Sequence, residues 1–251
     1  MQVIATYSTK GGSGKTSTAV NLAWEASKSG PVLLWDLDAQ GASTYLTGVK
    51  PKLKGGVSKL VTGGKSISDV VRSADFSRPE GQHRIDVLPA DDSYRELELL
   101  LDAAKGSKRR VEKVLKDASG TYETVILDCP PGASLVAENA VRAADVIVSP
   151  LPPSPLSLRT LGQVRELVAD SAKPAPILAF LSLVDRRKLS HRRAAEELPA
   201  EHPEILDVVI PASVVVEHMG DERAPVAAFA ARHPVAQAYA SLWTAITEQL
   251  R

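Results

Sequence analysis

Val3-Ile4-Ala5-Thr6-Tyr7-Ser8-Thr9-Lys10-Gly11-Gly12-Ser13-Gly14-Lys15-Thr16 is an apolar, β-branched run followed by a glycine-rich turn, a lysine and a hydroxyl residue. Gly11, Gly12 and Gly14 admit backbone angles closed to other residues, so successive N–H groups can turn inward around anionic oxygens. Lys15 supplies a point charge for the β- and γ-phosphates of a nucleotide, and the Thr16 hydroxyl is placed to hold Mg²⁺. Over residues 16–29, Val20, Leu22, Ala23 and Ala26 form an apolar stripe. That stripe predicts a helix whose N-terminal dipole faces the same phosphates. Strand, phosphate cradle and helix in this order point to an α/β nucleotide-binding fold.

The rest of the chain repeats the alternation. Short β-branched or leucine-rich runs stand at 3–7, 32–35, 85–88, 124–127, 146–148, 177–183 and 208–210. Residues 93–104, 107–118, 134–143, 155–171 and 234–250 read as helices, the last with Val235, Tyr239, Leu242, Ile246 and Leu250 three or four apart. Strands alternating with helices predict a mainly parallel, twisted sheet with helices on both faces. Residues 48–81, with Gly-Gly pairs at 55–56 and 63–64, predict a surface excursion carrying short helices. Prolines at 150, 152, 153 and 155 predict a rigid loop after a strand rather than a linker, so one domain over 1–251 is expected.

Thirty basic and thirty acidic residues cancel, so the whole-chain charge gives no argument for nucleic acid, and binding of that kind must come from local patches. Two patches exist: Arg186, Arg187, Lys188, Arg192 and Arg193, and separately Lys105, Lys108, Arg109, Arg110, Lys113 and Lys116. Glu112 interrupts the second, which reads as a solvated helical face. The first, with five cations within eight positions, is the candidate for DNA contact. No aromatic residue interleaves either patch, which favours duplex phosphates over stacking on single-stranded bases. The single cysteine, Cys129, excludes an intramolecular disulfide framework and fits a reducing compartment. No apolar stretch approaches membrane-spanning length, and the amino terminus runs into a strand without a charged leader, so a cytoplasmic location is expected.

Two further motifs end strands in carboxylates. Trp35-Asp36-Leu37-Asp38-Ala39-Gln40-Gly41 closes the second, and Val125-Ile126-Leu127-Asp128-Cys129-Pro130-Pro131-Gly132 the fourth. Asp128 has the Walker B position for reaching Mg²⁺.

Lys10-Gly11-Gly12-Ser13-Gly14-Lys15-Thr16 misses the strict G-x-x-x-x-G-K-[ST] pattern, because Thr9 stands five before Gly14. It resembles the deviant Walker A motif of the ParA/MinD ATPases, in which the extra lysine, here Lys10, is the distinguishing residue. The two carboxylate motifs resemble that family's D-x-D-P-Q-G and D-x-P-P switches, with Ala39 in place of proline. Leu183–Ser190 and Ile210–Val216 are similar to its later segments, the second near the adenine, although Ala212 and Val216 replace arginines that the family uses on DNA.

By this resemblance ATP and Mg²⁺ are the cofactors. Lys10, Gly11, Gly12, Ser13, Gly14, Lys15, Thr16, Ser17 and Pro211 would bind nucleotide, and Thr16, Asp36 and Asp128 would serve the metal. Lys10, Lys15 and Asp38 would be catalytic, Asp38 orienting the attacking water. The resemblance further implies an ATP-bound homodimer into which Lys10 reaches across and non-specific double-stranded DNA as a partner. It also implies a ParB-like or cargo-adaptor activator, nucleoid association in the cytoplasm, and segregation of a plasmid, chromosome or other cargo. A MinD-like membrane cycle would require a basic amphipathic carboxyl-terminal helix, and residues 241–251 hold one cation. A metabolic P-loop enzyme is the remaining alternative, and one cysteine argues against a shared iron–sulfur cluster.

Overall fold

Side-chain alternation along the strands decides the layering. The computed structural model describes residues 1–76, 82–103 and 107–250. In it eight strands form one sheet: β1 (Gln2–Thr6), β2 (Val32–Asp36), β3 (Arg72–Ser73), β4 (Ile85–Leu88), β5 (Thr124–Asp128), β6 (Val146–Leu151), β7 (Ile177–Val184) and β8 (Ile205–Pro211). Their spatial order is β3-β4-β2-β5-β1-β6-β7-β8, parallel throughout except for β3 against β4.

Val3, Ala5, Leu33, Trp35, Val125 and Leu127 face one apolar layer, which includes Leu97 and Leu101 of the helix Leu97–Ala103 and Val136 and Ala140 of the helix Leu135–Ala143. The intervening Ile4, Val32, Leu34 and Ile126 face the other, against the helices Lys15–Ala26 and Pro234–Gln249. Burial on both faces explains why these strands read as continuous apolar runs without a polar alternate.

Because the chain passes from β1 to β2 on one side of the sheet and from β5 across β1 to β6 on the other, the carboxyl end of β1 opens a crevice where ligands bind in doubly wound sheets. The parallel register then sets Thr6 and Asp36 each beside Asp128 at that edge.

Several boundaries differ from the sequence reading. The first helix ends at Ala26, with residues 27–29 in a turn. Residues 93–104 divide into a 3₁₀ turn, Asp92–Glu96, and the helix Leu97–Ala103, with Ala104 outside the described residues. Residues 107–118 hold one short helix, Arg110–Leu115, between 3₁₀ turns. The excursion at 48–81, whose residues 77–81 also lie outside the described ones, carries the helix Gly56–Val61, the turn Ile67–Asp69 and the unforeseen β3.

β6 continues through Pro150, which the sequence placed in a loop. The Val148 carbonyl accepts from the Tyr7 N–H, so Pro150, two residues on, faces the side where β1 has already ended and no N–H is needed. The sequence does not predict a further helix, Leu189–Glu201: it fully buries no residue, and its half-buried apolar positions, Ala194, Ala195 and Leu198, hold one large side chain, too weak a stripe to mark it.

Candidate functional site

At the head of the helix Lys15–Ala26 the loop turns through two glycines with left-handed backbones, Gly12 (φ 67°) and Gly14 (φ 96°). A Cβ at Gly11, Gly12 or Gly14 would meet nothing within 4 Å, so their outer face is open to a ligand. Behind it, the loop is tied to the sheet. Gly132 donates its N–H to the Thr9 carbonyl (3.1 Å) and accepts from the Tyr7 hydroxyl (3.0 Å). Thr9 Oγ1 donates to Gln163 Oε1 (2.7 Å), and Ser182 Oγ donates to the Ser13 carbonyl (2.7 Å).

The two lysines are placed differently. Lys15 is buried, its Nζ 3.1 Å from the Lys10 carbonyl, and burial lowers its pKa against the opposing pull of Asp128. Lys10 is exposed in front of the cradle.

Asp128 is wholly buried, and neither carboxylate oxygen accepts a hydrogen bond among the described residues. Burial first, then the charge of Asp36, pushes its pKa up to about 8, while the nearby Thr16 and Ser43 hydroxyls pull it partly back. Asp36 is also buried and raised by desolvation, but it is engaged. Its Oδ2 accepts from the Thr44 N–H (2.8 Å) and hydroxyl (2.6 Å), and its Oδ1 from the Asp38 N–H (3.2 Å). Thr44 Oγ1 in turn accepts from the Ala90 N–H (2.9 Å). Asp36 therefore anchors the short helix Ala42–Leu46 as well as bordering the site. Asp38 is half-buried in the loop, where its Oδ1 accepts from the Gln40 N–H (2.9 Å), and its charge acts on both Lys15 and Asp128.

Two buried carboxylates side by side, one with no partner, call for a countercharge. A divalent cation supplies it, and Mg²⁺ is held by one or two carboxylates plus substrate phosphates rather than by an all-protein cage. The donor set agrees, since no group of three or more His, Cys, Asp or Glu able to hold a metal exists among the described residues. Cys129, next to Asp128, is buried with its sulfur 3.7 Å from the Leu127 carbonyl, and burial raises its thiol pKa.

The fold thus brings Lys10 to Ser17, Asp36, Asp38 and Asp128 to one edge. Pro211 closes β8 at the same edge, three strands from β1. Tyr7, Ser43, Thr44, Gly132 and Ser182 were not singled out, because each acts through a residue distant in sequence or through a backbone atom.

Of the first basic patch, Arg192 and Arg193 lie on the helix Leu189–Glu201, and Arg186, Arg187 and Lys188 on the turn before it, all exposed. Arg187 makes two bonds to Asp185 (2.9 and 3.0 Å) and Arg192 donates to the Arg186 carbonyl (3.1 Å). Arg186, Lys188, Arg192 and Arg193 form no ion pair among the described residues. In the second patch Lys108 pairs with Glu138 (2.8 Å) and Arg109 with Glu112 (2.7 Å), as expected for a solvated face, while Lys105 lies outside the described residues.

A family model described as an AAA domain matches residues 1–174. The chain is 29% identical over 252 residues to the chromosome partitioning protein ParA of Caulobacter vibrioides, covering 96% of this chain and 92% of that one. Its fold is that of a putative plasmid partition protein from Borrelia burgdorferi bound to AMPPNP (TM-score 0.84, 18% identity, 99% of each chain). Cobyrinic acid a,c-diamide synthase from Mycobacterium smegmatis, with bound ADP and magnesium, shares it as well (TM-score 0.79, 24% identity, 100% of this chain and 95% of that one).

Proposed function

The chain belongs to the ParA/MinD family of P-loop ATPases, and from that premise we propose a Mg-ATP switch. In this reading it dimerises around bound nucleotide, contacts duplex DNA without sequence preference and positions a plasmid, chromosome or other cargo. The observation that carries the nucleotide part is the wholly buried, unpartnered Asp128 beside Lys15 and Thr16 at the foot of an open glycine cradle.

In this reading the backbone N–H groups of residues 11–16 and the Lys15 ammonium bind the phosphates. Thr16 and Asp128 hold Mg²⁺, with Asp36 beside them. When bound, the metal neutralises charge on the β- and γ-phosphates. Asp38, on a loop whose two turns are closed by its own side chain and carbonyl, orients water. These motifs supply no strong general base, so hydrolysis depends on the positioning of water and is slow in the chain alone, and a ParB-like or adaptor protein that completes the site accelerates it. Lys10, exposed before the cradle, is free to reach a second subunit's phosphates.

Arg186, Arg187, Lys188, Arg192 and Arg193 form the DNA surface, with Arg186, Lys188, Arg192 and Arg193 carrying the charge that no carboxylate compensates. The membrane alternative is disfavoured by packing: Val235, Tyr239, Leu242 and Ile246 of the last helix are committed to the core. ATP-dependent retention of the protein on duplex DNA tests the proposal. Retention with ATP and Mg²⁺ but not with ADP is expected, and equal retention in all nucleotide states would contradict it.

A further inference from the structure

Leu183 holds a left-handed backbone (φ 57°), one of two non-glycine residues to do so among the described residues. A branched side chain in that region costs energy that only the surrounding structure offsets, and such residues gather at functional sites. Here the distortion sits in β7. Pairing with β8 passes from Leu181↔Val209 to Val184↔Pro211, so three steps on β7 match two on β8. The extra residue is a bulge, which re-aims the side chains beside it.

Its neighbours meet opposite ends of the site. Ser182, 3% exposed, donates its hydroxyl to the Ser13 carbonyl at 2.7 Å, across 169 positions of sequence. Val184 accepts at its carbonyl from the Ala212 N–H at 3.0 Å, just after Pro211. The first of these bonds acts on the cradle through peptide geometry. The Ser13 carbonyl and the Gly14 N–H belong to one planar trans peptide and point in opposite directions. Pinning the carbonyl onto Ser182 therefore turns the Gly14 N–H away from β7, and a Cβ built on the same glycine meets nothing within 4 Å, so the loop is open beside it.

We propose that Ser182, delivered by the left-handed Leu183, is a positioning residue for the phosphates. It fixes the Ser13–Gly14 peptide so that the Gly14 N–H is set for an anionic oxygen before nucleotide arrives. This rests on the reading of the cradle as a nucleotide site. Neither residue touches the ligand, and the gain is preorganisation.

The test titrates a fluorescent ATP analogue with Mg²⁺ into the full chain and its variants, alongside melting of the nucleotide-free proteins and the Gly14 amide NMR shift. Ser182→Ala should weaken binding about three- to tenfold, the worth of one hydrogen bond. Its melting temperature should fall by no more than about 2–4 °C. Ser182→Thr, which keeps the hydroxyl, should restore affinity. Leu183→Gly, which adopts the left-handed backbone freely, should bind as the parent does. Leu183→Val, branched at Cβ, should weaken binding and move the Gly14 amide as Ser182→Ala does. Parent-like affinity in Ser182→Ala, no rescue by Ser182→Thr, or weaker binding in Leu183→Gly than in Leu183→Val would each overturn the proposal. A parent whose binding is lost in Lys15→Ala but untouched in Ser182→Ala overturns this inference alone, whereas a parent that binds no Mg-ATP overturns the nucleotide reading with it.

Discussion

Lys15 and Lys10 carry the same charge five residues apart, one buried against the loop and the other exposed in front of it. Lys15→Ala should weaken ATP binding by about 10- to 100-fold, the range of a charge-assisted bond. Lys10→Ala should leave ATP affinity within about twofold, well inside one hydrogen bond, and abolish ATP-dependent dimerisation in light scattering. Equal loss of affinity in both would remove the distinction. Asp38→Ala should bind Mg-ATP as the parent does yet release no phosphate, trapping the dimer; hydrolysis at the parent rate would return the role to Asp36 or Asp128. Asp128 gives a pH test in EDTA. Its ordinary pKa is 3.8 and its folded value about 8, so between those values the folded state holds a proton that the unfolded state has lost. Stability of the metal-free protein should therefore fall as pH rises from about 4 to about 8. Asp128→Asn should flatten that slope and melt higher than the parent at pH 8, and an unchanged slope would assign the effect elsewhere. The cradle and both carboxylate motifs were legible because each is a short run whose residue types need one another locally. Ser182 was not, since its bond to Ser13 spans most of the chain.

The helix Leu189–Glu201 illustrates what element-level reading misses. Periodicity finds a helix by its buried stripe, and here only Ala195 and Leu198 pack, half-buried, against the core, so its cations stand out instead, as a charge run. Structure refines the run: Asp185 holds Arg187 twice, and that contact lowers the Asp185 pKa to about 2. Replacing Arg186 and Arg193 together by alanine should therefore weaken duplex binding more than Arg187→Ala alone. Fluorescence anisotropy across salt should show the log–log slope, about −0.9 per neutralised phosphate, flattening for every DNA sequence alike. Unchanged affinity would move the DNA surface elsewhere. Pro150 is the converse case, a residue read as a strand breaker that the fold tolerates because β6 outruns β1 at that point.

Across the whole molecule, the mainly parallel sheet and its covering by helices on both faces followed from the sequence because apolar runs without alternation require burial on both faces, whereas the spatial order of the strands did not. The antiparallel β3 did not, being two exposed residues that no pattern can mark. Ligand linkage supplies the test at this scale. Mg-ATP at about a hundred times its Kd should add about 2.7 kcal/mol, or about 5–10 °C in melting for a chain of this length. At the same ligand concentration Lys15→Ala should keep only about 0.4–1.4 kcal/mol of it, and an equal rise in that variant would place the nucleotide outside the cradle.

Cys129 is the only cysteine of the chain, and it is 1% exposed with a thiol held protonated by its surroundings. A maleimide dye therefore finds no target on the native fold, because the reactive thiolate is both hidden and scarce. One cysteine introduced at an exposed position would take label without removal of the natural one. Subunit exchange and release from DNA could then be followed by energy transfer in a protein whose interior is untouched. In the same chemistry, slow modification of Cys129 itself would time the opening of the sheet edge that carries Asp128.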